Sequence, residues 1–111
     1  MRGGAPFTTV TLMGGDMQAQ GHAQWLIDVL DLKANVQAAA DMARFRHSQI
    51  SNVLSLETPL YELVGSQLSA MGHIVQPVNG ADVGGVQTIM VKDGTYRSGS
   101  DFRKDGAAVG W

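Results

Sequence analysis

Thr8-Thr9-Val10-Thr11-Leu12-Met13-Gly14-Gly15-Asp16-Met17-Gln18-Ala19-Gln20-Gly21-His22 is the stretch on which the fold turns. Its first part is threonine and valine, which suit a pleated, half-buried strand, and residues 7–13 are read as one. Two glycines end it. A helix is predicted to open at Asp16 or Met17, because Ala23, Leu26, Ile27 and Leu30 recur at i, i+3, i+4 and i+7, the spacing of one helical face. Those four are expected to be its buried stripe, with His22, Gln24 and Asp28 off it. Gly21 costs the helix about 1 kcal/mol relative to alanine, which predicts another backbone packed close there. A strand that ends in paired glycines and opens a helix presents free backbone N–H groups at the positive helix end. No Cβ blocks approach to them.

Outward from this corner, Asn35 is positioned to cap a short helix over residues 36–42. Residues 45–48 and 53–56 read as strands. Thr58-Pro59 is a helix start, a cap followed by proline at the first helical position. Leu60, Leu63, Val64, Leu68 and Met71 are expected to form that helix's buried face, and Gly72 to close it. Residues 73–78 read as a strand, Asn79-Gly80 as a turn and residues 83–91 as another strand. Lys92-Asp93-Gly94 reads as a hairpin turn into residues 95–98. This order predicts an α+β fold, a mixed sheet with helices packed on it. Residues 1–111 read as a single segment with no repeat and no linker. The first strand begins almost at residue 1 and would need partners on both sides, as part of a larger sheet.

Bulk properties exclude more than they assign. The chain has 111 residues, 44% hydrophobic and 16% charged, which suits one globular unit. A net charge of −2 offers no basic surface for nucleic acid or an anionic membrane. The absence of cysteine removes disulfides, thiolate metal sites and cysteine nucleophiles together, and leaves cytoplasm and periplasm both open. Residues 1–6 carry one basic side chain and no apolar run, unlike a signal peptide. No apolar stretch is long enough to span a bilayer. His22, His47 and His73 are too scattered for a metal site, and nothing calls for a cofactor. Asn79-Gly80 with Gly84-Gly85 lacks the lysine of a phosphate loop. Met13, Met17, Met42, Met71 and Met90 read as core fillers.

Gly14-Gly15-Asp16-Met17-Gln18-Ala19-Gln20 resembles a stretch of the gamma-glutamyltransferase family, its bacterial members in particular. The resemblance continues in order through Asn35-Val36-Gln37, Ala43-Arg44-Phe45, Gly72-His73-Ile74-Val75 and Gly85-Val86-Gln87-Thr88-Ile89, and then along residues 99–111 to Trp111, which matches the family's end. Met42 and Phe102 stand where the family usually has proline, and Lys33 where glycine is common. The resemblance implies an N-terminal-nucleophile hydrolase, an αββα sandwich of which this chain is the C-terminal part of the small subunit. It implies a precursor that cleaves itself to expose a threonine nucleophile. No residue here matches that threonine. Thr8, Thr9 and Thr11 lie in the strand leading to Gly14. The implied partners are the rest of the small subunit, the large subunit of the same precursor, and a small amide substrate: a gamma-glutamyl compound, oxamate or another acyl amide.

By its residues alone, Gly14-Gly15 reads first as an ordinary strand-to-helix turn. The resemblance makes it the oxyanion hole, where each donor aimed at a developing negative oxygen contributes roughly 3–4 kcal/mol. The implied chemistry is covalent, through an acyl-threonine with its own α-amine as base. Asp16 is read as a helix cap, with contact to a substrate amine as the second reading. His22 is read as a structural histidine bonded across a helix interface rather than a proton shuttle. Arg44 and Arg103 with Asp101 and Asp105 are expected to form buried ion pairs that fix the C-terminal turn. An arginine fork on a substrate carboxylate is the alternative, and a solvated charged turn the plainer reading of residues 103–105. Two readings compete with the enzyme: a stand-alone non-catalytic interaction module, and a truncated inactive chain.

Overall fold

The computed structural model describes residues 1–110; Trp111, matched above to a family terminus, lies outside the described residues. Strand β1 (Thr8–Met13) passes through Gly14-Gly15 into α1 (Met17–Leu30). Then come α2 (Val36–Asp41), β2 (Phe45–Ser48), β3 (Val53–Glu57), α3 (Thr58–Ala70) and β4 (Ile74–Val78). A 3-10 turn (Gly80–Val83) precedes β5 (Gly85–Lys92) and β6 (Thr95–Ser100). The strands form two three-stranded sheets, ordered β1-β5-β6 and β2-β3-β4. The first is antiparallel throughout; the second pairs β2 with β3 antiparallel and β3 with β4 in parallel. The expected α+β fold is present, and the mixed sheet is the second one, β2-β3-β4. Local pattern marks where strands lie. It does not say that β5 returns to pair with β1 in the register Leu12↔Val86, Met13↔Gly85, a choice set by which faces can be buried.

Several local signals act as their chemistry requires. Asn35 is extended (φ −71°, ψ 164°) and its Oδ1 accepts from Ala38 N–H at 2.9 Å, one free helix donor satisfied. Gly72 at φ +96° closes α3. There His73 N–H donates to Leu68 O at 3.1 Å and Gly72 N–H to Ser69 O at 3.0 Å, the paired bonds of a left-handed helix end. Asp93 and Gly94 both have positive φ, 52° and 73°, the turn whose twist suits a two-residue hairpin.

The helix faces are corrected. In α1 the buried residues are Met17, Gly21, Trp25 and Val29, while Ala23, Leu26, Ile27 and Leu30 face outward, Ile27 being 51% exposed. Gly21 decides the rotation. A Cβ there would overlap the Leu12 methyls, so what packs into the glycine slot is a β1 side chain and not a backbone. With Leu12 in that slot, Trp25 one turn on is carried wholly into the core. In α3, Gly65 is buried and Leu60, Tyr61, Val64 and Leu68 are half-buried, whereas Leu63 and Met71 are 72% and 74% exposed. The main core gathers Leu12, Met17, Trp25, Val29, Val36, Ala39, Ala40, Val83, Val86 and Met90. Of the methionines read as fillers, only Met17 and Met90 are in it; Met13, Met42 and Met71 are exposed.

Helix side chains close two sheet edges. The Gln24 amide exchanges two bonds of 2.9 Å with the Phe45 N–H and carbonyl, and the Gln20 amide two of 2.8 Å with those of His47. The Gln37 amide does the same to Ser100, at 2.9 and 3.0 Å. Each carboxamide imitates one residue of a neighbouring strand, satisfying edge groups that otherwise recruit other chains. The Gln20 pair is partly buried. Gln20→Ala, which strands the His47 N–H and carbonyl, is therefore expected to cost about 1–3 kcal/mol. Gln24→Ala, whose Phe45 partner is exposed, should cost less. Denaturant midpoints of the two variants test the order.

Candidate active site

The β1–α1 corner is built from glycines because its backbone takes positive φ angles. Gly14 sits at φ +133° and Gly15 at φ +58°, conformations that side chains rarely adopt. Their carbonyls accept from Met17 and Gln18 N–H at 3.1 and 3.0 Å, which starts α1. Both glycines are exposed. Apart from helix and strand ladders, neither Gly14 N–H nor Gly15 N–H donates a hydrogen bond among the described residues. A Cβ on Gly14 would meet Met17 Cβ at 3.2 Å and Gly84 Cα at 3.4 Å. Gly84 (φ +78°) backs the corner, since a Cβ there would overlap the Met13 carbonyl oxygen. In front of Gly15 nothing lies within 4 Å of a built Cβ.

Asp16 follows the glycines but does not cap the helix, a correction to its expected role. A capping side chain needs an extended backbone to swing over the free N–H groups. Asp16 is already helical (φ −62°, ψ −20°) and makes no capping bond. Its exposed carboxylate stands at the positive end of α1 and makes no hydrogen bond or ion pair among the described residues. His22 likewise makes no side-chain hydrogen bond among the described residues, so the expected bond across a helix interface is absent there.

Behind the corner lies a buried ionic network. Asp101 Oδ2 accepts from Arg44 Nη2 at 2.6 Å and from Val86 N–H at 2.9 Å. Its Oδ1 accepts from Arg103 N–H at 2.9 Å and Arg103 Nη1 at 3.0 Å. Arg103 also grips Glu57 bidentately, Nε to Oε1 and Nη2 to Oε2, both at 2.7 Å. Glu57 Oε2 takes the Arg44 N–H at 2.6 Å. The two guanidiniums collect the carbonyls at the end of α2: Ala40 from both, Met42 from Arg103. Arg44 Nη1 reaches Gly84 O at 3.5 Å, so the network touches the residue that backs Gly14. Asp105, expected here, is exposed and makes no ion pair or hydrogen bond among the described residues. Glu57, 46 residues before Arg103, takes its place. Its one sequence signal was a carboxylate ending a strand just before a helix-starting Thr-Pro.

A family model described as gamma-glutamyltranspeptidase matches residues 1–111. The chain belongs to the gamma-glutamyltranspeptidase family. Solved structures agree on the fold of this gamma-glutamyltranspeptidase-family chain. Gamma-glutamyltranspeptidase from Pseudomonas nitroreducens superimposes with a TM-score of 0.89 at 23% identity, over 100% of this chain and 58% of that one. Cephalosporin acylase from Bacillus halodurans gives 0.84 at 30% identity, over 92% of this chain and 19% of that one. The Helicobacter pylori gamma-glutamyltranspeptidase gives 0.82 at 24% identity, over 94% and 57%. The family chain therefore spans 58% of the Pseudomonas chain's length. A search of curated proteins found no match. The two sheets with their helices are the α+β fold of the gamma-glutamyltranspeptidases and related N-terminal-nucleophile hydrolases.

Electrostatics in this gamma-glutamyltranspeptidase-family chain follow from the network. Burial alone would raise the Asp101 carboxyl, but the Arg103 and Val86 N–H groups and the Arg44 guanidinium outweigh it and hold it below the usual carboxylate value. Burial would lower Arg103, and Glu57 and Asp101 reverse that, so its guanidinium stays charged. Asp28, on α1, is raised by burial, with Arg44 opposing. Among the described residues no three His, Asp or Glu side chains converge as a metal site. No described helix is long and apolar enough to cross a membrane.

Proposed function

We propose that this chain is the C-terminal part of the small subunit of a gamma-glutamyltranspeptidase-like enzyme, and that Gly14 and Gly15 supply its oxyanion hole. One observation carries the reading: two adjacent glycines at φ +133° and +58°, exposed at the positive end of α1, with N–H groups that the turn itself does not use. A threonine on polypeptide outside residues 1–111 gives its hydroxyl proton to its own α-amine as its Oγ attacks the carbonyl of a small amide, the gamma-glutamyl type being the first candidate. As the oxygen takes up negative charge, the two N–H groups hold it, at no cost in reorganisation. The tetrahedral intermediate collapses, the amine leaves with a proton from the threonine α-amine, and the acyl-threonine passes its acyl group to water or a second amine. Asp16 meets a cationic amine of the substrate, a reading supported by its exposure beside the glycines. Arg44, Asp101 and Arg103 hold the scaffold. The rest of the small subunit and the large subunit of the same precursor complete the site.

The shape supports the need for partners. The radius of gyration is 15.1 Å, against about 13 Å for a compact chain of this length, and Leu63, Met71 and Tyr96 are each more than 70% exposed. Residues 1–111 expressed alone are expected to self-associate and to release no p-nitroaniline from gamma-glutamyl-p-nitroanilide. A monodisperse monomer that melts cooperatively would overturn the reading as a part of a larger subunit. Release of p-nitroaniline would show a nucleophile within these residues.

A further inference from the structure

A cavity of about 590 Å³ lies at the end of β1 opposite the glycine corner, between the end of α1, the loop into α2 and the β5–β6 hairpin. Its floor is apolar, made by Phe7, Val29, Val36 and Met90. Its rim carries Arg2, Lys33, Lys92 and Arg97, half of the chain's 8 basic side chains in a molecule of net charge −2. Only one acid lines it, Asp93, and that carboxylate touches Arg97 in an exposed pair at 3.9 Å. Four like charges around one concavity raise its potential, and an anion entering it relieves their repulsion.

Lys33 stands at this rim as the residue that turns the chain out of α1. It holds φ +60°, where glycine fits without strain and a side chain does not. That conformation belongs to the end of α1, where the Leu32 and Ala34 N–H groups donate to the Ile27 and Asp28 carbonyls, and it sets Lys33 at the cavity. Lys33 Nζ donates to the Leu30 carbonyl at the end of α1, which pins the ammonium at the rim. Arg2 is held too, its guanidinium lying 4.8 Å above the Phe7 ring.

We propose that this cavity binds a small organic dianion, its apolar body on the Phe7–Met90 floor and its carboxylate or phosphate groups on the basic rim. An inorganic dianion meets only the rim, and a neutral molecule only the floor. The site lies at the other end of β1 from Gly14-Gly15 and does not depend on the acyl-transfer reading.

Isothermal titration of the protein at its native length, with isophthalate, isophthalamide and pyrophosphate in turn, tests it. Isophthalate should bind one per chain, about tenfold more tightly than isophthalamide, with affinity falling as salt rises. Pyrophosphate should bind more weakly than isophthalate. Lys33→Gly is the informative variant, because glycine accepts φ +60° and the fold is kept. It should weaken isophthalate about tenfold, leave isophthalamide unchanged, and not lower the melting temperature, since glycine relieves the strain at this φ. The double variant Lys92→Gln, Arg97→Gln should do the same. Equal affinity for isophthalate and isophthalamide, an isophthalate affinity indifferent to Lys33→Gly, or no binding at all overturns the site. Pyrophosphate binding as tightly as isophthalate overturns the organic body.

Discussion

Replacing Asp101 with alanine is expected to destabilise the folded protein by about 3–5 kcal/mol, the cost of leaving buried charge without its counter-ion. Asp101 accepts four hydrogen bonds, from Arg44 Nη2, Val86 N–H, Arg103 N–H and Arg103 Nη1, and its side chain is wholly buried. Without it Arg44, also buried, keeps only backbone carbonyls. Arg103 retains Glu57, so most of the loss falls on Arg44. Urea unfolding at native length should show a lower midpoint with an unchanged slope. The effect is pH-dependent, with a definite sign. The folded-state pKa of Asp101 lies below its ordinary value of 3.8. The stability it contributes is therefore fully present above that value, and it is lost as pH falls through the depressed one. The wild type should lose stability on that acid limb, below about pH 4, and Asp101→Ala should flatten it. A variant as stable as wild type at neutral pH would mean that the network contributes nothing.

Gly15→Ala should lower kcat of the full enzyme roughly 100-fold or more, while KM moves little, the pattern expected when an interaction made only in the transition state is lost. The alanine methyl would enter the open space in front of Gly15, where nothing lies within 4 Å and where the proposed oxyanion hole would receive the substrate oxygen. Alanine at φ +58° also carries strain of about 1–2 kcal/mol, and strain alone could disturb the corner. Gly3→Ala separates the two effects. Gly3 has φ +57° and equally open space, in the turn at the other end of β1, so the variant brings the same strain and should leave kcat unchanged. If Gly15→Ala and Gly3→Ala give the same kcat, the corner is not an oxyanion hole, whatever the family.

Much of the chain was legible in its residues. Capping by Asn35, the Gly72 helix end, the Asp93-Gly94 hairpin and the β1–α1 break at Gly14-Gly15 each rest on bonds between residues a few positions apart. The buried faces of α1 and α3 were not legible. In α1 two apolar stripes compete, Met17-Trp25-Val29 and Leu26-Ile27-Leu30, and periodicity weighs both alike. Leu12 in the Gly21 slot breaks the tie, and that contact joins two elements. The carboxylates behind the corner divide the same way. Asp101 was recognisable, but the choice of Glu57 over Asp105 depends on where the end of β3 is carried relative to Arg103.

What the sequence determined by itself was the order and limits of most elements, the family, and the glycine corner, because short-range backbone chemistry writes these into neighbouring residues. Only the tertiary structure decided that the strands divide into two sheets, which helix faces are buried, how Gln20, Gln24 and Gln37 close the sheet edges, and which acid completes the Arg44–Asp101–Arg103 network. Each of those is a contest between alternatives equal in local propensity. Burial and hydrogen-bond satisfaction among residues distant in the chain settle it.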